Sequence, residues 1–190
     1  MCGRYTFPDE ESTGFIGRML DSLRKSGQDF STGTLTPGMN CPVVVMTGSG
    51  RTVPRAMHWG YRLSDGKLVF NTRSETADEK PLFRDDIRAR RCLIPASGYF
   101  EWEKKGDEKI RYELSPKDRT LFFMAGIFRL RDGAEEFSIL TRQASDDISF
   151  IHDRMPVILP EGFGEKWLSP DQDPLSLIAG AETVMRFRAE

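Results

Sequence analysis

The sequence predicts a single α+β domain built around a mainly antiparallel sheet, and three observations support that fold class. A chain of 190 residues has the length of one domain, and we see no repeat, low-complexity segment or linker in it. From residue 92 onward, short strand-like runs alternate with turn signals such as KKGD and RDGAEE. Helical spacing is limited to short stretches before and after these runs.

The first predicted element is an amphipathic helix over residues 9–25. We expect Asp9 or Ser12 to cap its start and Gly27 to end it. Its apolar stripe consists of Phe15, Ile16, Met19, Leu20 and Leu23. A helix that covers the core is a sufficient account of this segment.

Three strand candidates follow. Residues 42–47 and 52–59 flank the glycine turn TGSGR, a pattern that predicts a β-hairpin. Residues 67–71 form a further short strand candidate.

A charged segment, residues 74–91, separates these strands from the rest, and its helical spacing breaks at Pro81. A helix over its second half would present a basic face that consists of Arg84, Arg88 and Arg91. The alternative is a solvated face on which the arginines pair with Asp85 and Asp86.

The second half of the chain is dominated by strand candidates. Their sequences are CLIPA, GYFEWEK, IRYEL, TLFFMAGIF and EFSILTR. A short helix is expected over residues 145–151, followed by the strand MPVIL and two small C-terminal helices.

Composition narrows the class of protein. No stretch approaches the roughly 20 apolar residues of a membrane span, and the opening residues lack a secretory signal, so we expect a cytoplasmic protein, nucleoid-associated if bacterial. Three cysteines, an odd number, indicate neither a disulfide framework nor a paired-cysteine zinc site. A net charge of −2 argues against a surface coated in positive charge, but it leaves room for a local basic groove.

Cys2 is the first residue with informative chemistry. Removal of Met1 would leave a free α-amine and a thiol on the same residue, with pKa values of roughly 8 and 8.5, so both nucleophilic forms are accessible near neutral pH. Such a 1,2-aminothiol condenses with an aldehyde to a five-membered thiazolidine. The alternative is a cysteine that occupies the second position by chance.

Two further residues suit proton transfer. His152 precedes a strand candidate, and histidine is the natural proton shuttle near pH 7, whereas packing is the expected role of His58 beside Trp59. Strand alternation places Glu101 on the face opposite its aromatic neighbours Phe100 and Trp102. Glu101 then either points into a pocket, where burial disfavours its charged form, or faces solvent as an ordinary strand residue.

Cys2, Glu101 and His152 lie within a series of six sequence blocks: CGRY, FNTRSET, RCLIPASGYFEW, MAGIF, FSILT and IHDRMPVIL. In this order they resemble the SRAP family, the SOS response-associated peptidases, from residue 2 to about residue 160. The resemblance implies one α+β domain with a mainly antiparallel, barrel-like sheet and flanking short helices.

The resemblance also implies a function: a DNA-damage protein that binds single-stranded DNA and forms a covalent cross-link with abasic sites. Cys2, exposed by removal of Met1, would be the nucleophile, and Asn71 would support its amine and the sugar. Glu101 would position the amine and move protons, while His152 would act on the deoxyribose hydroxyl. The implied DNA-binding residues are Gly3, Arg4, Pro37, Arg73, Trp102, Thr141 and Arg154. We expect a monomer that requires no cofactor, metal or membrane.

The sequence departs from the family pattern at two places, and two alternative functions also fit its residues. The segment between Gly60 and Asn71 is shorter than in the family, and Thr72 replaces its usual alanine. A thiol peptidase would use Cys2 as nucleophile with His152 as base and Glu101 or Asn71 to orient it. A DNA-binding module without catalysis would bind the strand and form no adduct.

Overall fold

The computed structural model describes residues 2–9 and 14–190. Its strands are β1 (Tyr5–Thr6), β2 (Thr34–Leu35), β3 (Asn40–Met46), β4 (Thr52–Trp59), β5 (Tyr61–Arg62), β6 (Leu68–Val69), β7 (Asn71–Arg73), β8 (Arg91–Ala96), β9 (Gly98–Lys105), β10 (Glu108–Pro116), β11 (Phe122–Arg131), β12 (Ala134–Gln143), β13 (Arg154–Pro156) and β14 (Met185–Ala189). Its helices are α1 (Gly14–Lys25), α2 (Arg84–Ala89), α3 (Gly164–Leu168), α4 (Pro174–Ala179) and a 3₁₀ turn at Ser74–Thr76. The predicted α+β class is confirmed.

Five strands close into a barrel in the order β11, β8, β3, β4, β12, and the pairing of β12 with β11 completes the ring. The β4–β12 contact is parallel, whereas the other four contacts are antiparallel. Closure leaves these five strands without a continuous open edge, and it encloses an apolar interior. The predicted barrel-like antiparallel sheet is therefore confirmed.

Packing inside the barrel is tight at Gly126 of β11. A Cβ atom at this position would lie 2.9 Å from the Sγ of Cys92 and 3.2 Å from the carbonyl oxygen of Ser138. Both distances are shorter than ordinary van der Waals contact. The absence of a side chain is thus what lets β8 and β12 approach β11 here.

Strand β12 pairs with four other strands and holds together the part of the barrel next to the candidate site. On one side it pairs first with β11 and then with β13, and on the other side first with β4 and then with β7. Thr141 is paired with Pro156 of β13 and with Arg73 of β7. The segments that follow Asn71 and His152 are therefore held in register by one strand.

A second sheet lies beside the barrel in the order β14, β10, β9, β1, β2. The register of β9 places Tyr99 opposite Tyr5 of β1, and Glu101 opposite Tyr112 of β10. Tyr5 and Tyr99 are fully buried, so this face of the sheet contributes to the core. Strand β14, which pairs along β10, was not predicted from the sequence.

Most predicted elements of the N-terminal half are confirmed. Helix α1 buries Ile16, Met19, Leu20 and Leu23, while Phe15 is exposed. The predicted cap at Ser12 lies outside the described residues. The hairpin around TGSGR is present as β3 and β4, and the strand expected at 67–71 divides into β6 and the start of β7.

The shortened segment after Gly60 forms a small hairpin. Strands β5 and β6 pair through Tyr61 with Val69 and Arg62 with Leu68. Thr72, the other departure, is buried and shares a hydrogen bond with the Ser138 hydroxyl at 2.8 Å. Both departures are thus accommodated within ordinary packing.

The predicted basic helical face is wrong at Arg91. Helix α2 ends at Ala89, and Arg91 begins β8, where it is 3% exposed. Its guanidinium donates to the carbonyl oxygens of Ser169 and Gln172. Arg91 therefore anchors the segment between α3 and α4 instead of facing solvent.

The helix predicted at 145–151 is also wrong, because the segment forms successive turns. The amide of Ile148 donates to the Ser145 carbonyl at 3.1 Å, and the amide of Ile151 donates to the Ile148 carbonyl at 2.9 Å. The Ser149 hydroxyl donates to the carbonyl of Asp146 at 3.2 Å. Such local side-chain bonds compete with a regular helix. The strand and the two helices predicted after this segment are present as β13, α3 and α4.

None of the helices in the described ranges has the length and apolar character needed to cross a membrane.

Candidate functional site

Four chain segments that are distant in sequence meet at one end of the second sheet. Cys2 lies just before β1, Glu101 in the middle of β9, Asn71 at the start of β7 and His152 just before β13. The β1–β9 pairing continues toward the N-terminus, where the Phe100 amide donates to the Arg4 carbonyl at 2.9 Å. This pairing brings Cys2 alongside Glu101.

The Cys2 residue is enclosed by protein. It is fully buried, and its Sγ lies 3.9 Å from the carbonyl oxygen of Arg4. Burial raises the pKa of the Cys2 thiol well above its ordinary value, and the nearby negative charge of Glu101 raises it further. The thiol is therefore held in its protonated form at neutral pH.

Asn71 fixes the main chain of Cys2. Its Nδ2 donates to the Cys2 carbonyl oxygen at 2.9 Å. Its Oδ1 is buried and has no hydrogen-bond partner within residues 2–9 and 14–190. An unsatisfied buried acceptor is uncommon in folded proteins, and here it provides a position for an N–H or O–H donor next to Cys2.

Glu101 is a buried carboxyl at 4% exposure, so the solvent-facing alternative is wrong. Burial raises the pKa of the Glu101 carboxyl, while the positive charge of a protonated His152 lowers it. A carboxyl group with a raised pKa exchanges protons more readily near neutral pH than an ordinary glutamate does.

The His152 ring is oriented by its own loop. The Arg154 amide donates to His152 Nδ1 at 2.9 Å, and the Asp153 Oδ1 lies 2.8 Å from the same nitrogen. Nδ1 accepts from the Arg154 amide when it is unprotonated and can donate to Asp153 only when it carries a proton, so one of the two contacts restrains the ring in each state. The side chain is 29% exposed, so the ring is accessible from outside the protein.

Arg154 is the most firmly held of the predicted DNA-binding arginines. Its guanidinium forms a bidentate ion pair with Glu75 at 2.7 and 2.8 Å, and it donates to the Thr141 carbonyl at 2.7 Å. This hydrogen-bonded pair keeps the pKa of the Glu75 carboxyl below its usual value. Thr141 itself is fully buried, and its hydroxyl oxygen also lies 3.4 Å from the Arg154 guanidinium.

The other predicted DNA-binding residues lie in or beside β1, β2, β7 and β9. Arg73 is exposed next to Asn71, and the Arg4 guanidinium lies 5.5 Å from the ring centroid of Trp102. Gly3 is half-buried between Cys2 and Arg4. Pro37 is half-buried just after β2, the neighbour of β1.

His58 lies apart from this group. Its Nδ1 is 2.9 Å from the carbonyl oxygen of Gly60, within the β4 side of the barrel. This contact agrees with the structural role expected for it.

Sequence reasoning did not identify Glu75 or the aromatic side chains of Tyr112, Phe150 and Phe187. Glu75 is within the FNTRSET block, but its pairing with Arg154 spans 79 positions and has no local sequence signal. Phe187 belongs to β14, the strand that was not predicted.

Comparison with known proteins identifies the family to which this chain belongs. The model of the family described as SOS response associated peptidase (SRAP) matches residues 1–187, and the chain belongs to this family. Among its relatives is the abasic site processing protein YoqW of Bacillus subtilis, 30% identical over 187 residues, with 92% of this chain and 83% of the relative covered.

Two further relatives extend the comparison. The abasic site processing protein YedK of Escherichia coli is 34% identical over 116 residues, which cover 58% of this chain and 52% of YedK. A crystal structure of a Bacteroides thetaiotaomicron protein has a TM-score of 0.79 and 26% identity, and it covers 99% of this chain and 91% of its own.

Proposed function

We propose that this protein processes abasic sites in single-stranded DNA by forming a covalent thiazolidine adduct through Cys2 after Met1 has been removed. The observation that carries the proposal is the enclosure of Cys2, whose carbonyl is held by Asn71 while its thiol lies within the electrostatic reach of Glu101. Relatives named abasic site processing proteins support the substrate class.

The order of bond formation follows from the surroundings of Cys2. Removal of Met1 leaves an α-amine with an ordinary pKa of about 8, whereas burial keeps the thiol protonated. The amine therefore adds first to the aldehyde carbon of the ring-opened sugar, and loss of water gives an iminium ion. The thiol then adds to the iminium carbon and releases its proton. The net change joins amine, thiol and aldehyde with loss of one water.

Glu101 is suited to the proton transfers of both steps. Because burial raises the pKa of its carboxyl, the group retains its proton to a higher pH than an ordinary glutamate does, which suits it to donate and accept a proton. It can protonate the departing hydroxyl when the iminium forms. The resulting carboxylate can then accept the proton that the thiol releases.

His152 and Asn71 are suited to the sugar. Abasic deoxyribose is mostly ring-closed, so ring opening requires an acid–base group, and the partly exposed imidazole of His152 is accessible for that role. The buried Oδ1 of Asn71 can accept a hydrogen bond from the amine or from a sugar hydroxyl. Ring closure to the thiazolidine removes the imine, which would otherwise promote strand cleavage by β-elimination.

Arginine side chains around the site suit a nucleic-acid backbone. Arg73 is exposed, and Arg4 lies over the ring of Trp102. Contacts of this kind give salt-dependent affinity with little sequence preference. We propose that Trp102 borders the bound strand, where an aromatic surface can stack on a base.

The thiol peptidase alternative receives less support. A cysteine protease activates its nucleophile by lowering the thiol pKa. Burial and Glu101 both act in the opposite direction on Cys2. Peptide cleavage is therefore an outcome that the experiment should test for and not the function we propose.

The test is a denaturing gel of the processed protein with single-stranded DNA that contains one abasic site. We expect a shifted band that survives denaturation and that Cys2→Ala abolishes. Cys41→Ala is the matched control, because Cys41 is also fully buried but lies in β3, and it should retain the band.

Mass spectrometry of the same preparation should show that Met1 is absent. If Met1 is absent and no band forms, the proposal is wrong. Cleavage of a peptide substrate without DNA would then favour the peptidase, and DNA binding without an adduct would favour a binding module.

A further inference from the structure

Three aromatic side chains form an exposed cluster, which we call the aromatic platform: Tyr112, Phe150 and Phe187. Their ring centroids lie 5.2 to 5.9 Å apart in edge-to-face geometry. Phe150 is 50% exposed and Phe187 is 45% exposed. Edge-to-face contacts are favourable between aromatic rings, and here they leave apolar ring surface in contact with water.

The aromatic platform adjoins the candidate site through two chain segments. Tyr112 is directly opposite Glu101 in the β9–β10 register, and directly opposite residues of an antiparallel pair have side chains on the same face, with Cβ atoms about 5 Å apart. Phe150 precedes His152 by two positions in the same loop. Arg154 follows His152 by two positions, so along the chain His152 stands between Phe150 of the platform and a predicted phosphate-binding residue.

The platform is held in place by contacts outside the rings. The Tyr112 hydroxyl donates to Glu103 Oε2 at 2.9 Å, which restrains that ring. Phe187 lies on β14, where it pairs with Leu114 of β10. Phe150 lies within the turn that is closed by the hydrogen bond from the Ile151 amide to the Ile148 carbonyl. The surface is therefore assembled in advance of any ligand.

We propose that the aromatic platform is a stacking subsite for a nucleobase that flanks the abasic position. The inference rests on the proposed function, in which an unpaired DNA strand binds at His152 and Glu101. The bases next to an abasic site in a single strand are unpaired, and each has a π-face that can stack on an aromatic ring. Stacking holds such a base without reading its identity, so the subsite would favour DNA with a base beside the lesion and be tolerant of which base it is.

The test separates stacking from the rest of DNA binding by removing the base from the DNA as well as the ring from the protein. One strand carries a non-reactive tetrahydrofuran abasic analogue flanked by ordinary nucleotides. The second strand carries the same analogue with tetrahydrofuran residues at the flanking positions too. Fluorescence anisotropy gives the Kd of each strand for wild type, Phe150→Ala and Phe187→Ala.

We expect each alanine variant to weaken binding of the base-flanked strand by about 5-fold or more, the lower end of base–aromatic stacking. Binding of the strand without flanking bases should be unchanged. Leu130→Ala is the matched control, since Leu130 is an exposed apolar side chain on β11, and it should change neither Kd. Phe150→Trp keeps an aromatic surface and should retain the affinity of wild type.

Equal losses on both strands, or no loss on either, would overturn the stacking subsite. This result is distinguishable from failure of the proposed function, which is measured by the Cys2-dependent adduct on a reactive abasic strand. An adduct without a flanking-base effect leaves the cross-linking proposal standing and removes the subsite. A flanking-base effect without an adduct retains the subsite on a DNA-binding protein.

Discussion

The burial of Glu101 places the chemistry of the site in conflict with the stability of the fold. Burial disfavours the ionised carboxyl and raises its pKa above the ordinary value of 4.5 in the folded state. Between the unfolded and folded pKa values, the folded protein binds more protons than the unfolded chain. The contribution of Glu101 to stability is therefore present at acid pH and is lost as the pH rises through the folded pKa.

Glu101→Gln should remove this dependence, because the amide occupies nearly the same volume and does not ionise. We expect the Tm of the variant, relative to wild type, to be higher at pH 7 than at pH 4, while adduct formation slows by about 10²-fold or more, as for loss of a general acid–base group. Thermal unfolding at both pH values checks the first result, and single-turnover cross-linking checks the second.

Glu108→Gln is the control, because Glu108 is an exposed carboxyl on β10. Its difference in Tm from wild type should be the same at both pH values. If the Tm of Glu101→Gln relative to wild type is instead higher at pH 4 than at pH 7, burial does not set the pKa of this carboxyl.

At the level of single residues, the sequence indicated candidate side chains for the site but not the partners of those side chains. Strand alternation in GYFEW correctly placed Glu101 on the face opposite its neighbours, because that rule depends only on local geometry. The bidentate contact of Arg154 with Glu75 joins the start of β13 to the 3₁₀ turn after β7, two segments that β12 brings together. A contact of this kind depends on the register of three strands, and local pattern does not contain it.

Strand β11 shows how one missing side chain permits close packing of an element. Gly126→Ala would introduce a Cβ against Cys92 Sγ at 2.9 Å and against the Ser138 carbonyl at 3.2 Å. The side chains can move, but the backbone oxygen belongs to the neighbouring barrel strand. We expect a loss of about 1–3 kcal/mol in the free energy of unfolding, the usual range for overpacking, measured by urea denaturation.

Gly48→Ala provides the comparison for that substitution. Gly48 lies in the turn between β3 and β4, and a Cβ there meets nothing within 4 Å. The free energy of unfolding should change by less than about 0.5 kcal/mol, as for most surface positions. Equal effects at both glycines would show that the interior of the barrel adjusts at little cost.

Among the elements, those with turn signals at both ends were predictable and those defined by distant partners were not. The turn signal RDGAEE marks the β11–β12 hairpin, in which Asp132 and Gly133 both adopt positive φ. Strand β14 has no such signal, since it joins the sheet by pairing with β10 across the C-terminal helices. The turns at 145–151 have helical spacing, but polar side chains there bond to the backbone locally.

The small net charge of the whole molecule does not show where its basic side chains are located. The chain has 27 basic and 29 acidic residues, yet Arg4, Arg73 and Arg154 each lie two positions after a candidate site residue, namely Cys2, Asn71 and His152. Arg154 is paired with Glu75, so a phosphate would have to compete with a carboxylate for it. Exposed Arg73 is therefore the clearest candidate for a direct phosphate contact.

Arg73→Ala should weaken binding of single-stranded DNA and reduce the slope of log Kd against log salt concentration by about 1, the value for one phosphate contact. Titrations at several salt concentrations measure the slope. Arg51→Ala is the control, because Arg51 is exposed in the turn between β3 and β4, and its slope should equal that of wild type. An unchanged slope for Arg73→Ala would remove Arg73 from the DNA-binding surface.

The position of β1 determines how a protein attached to DNA would respond to mechanical force. β1 lies between β9 and β2, and Cys2 is only three positions before its first residue. A DNA strand joined to Cys2 and drawn forward by a translocating motor would pull along β1. The hydrogen bonds to both neighbouring strands would then be loaded together in shear. Resistance of the adduct to forced unfolding would thus depend on this short strand between β9 and β2, and not on the total free energy of unfolding.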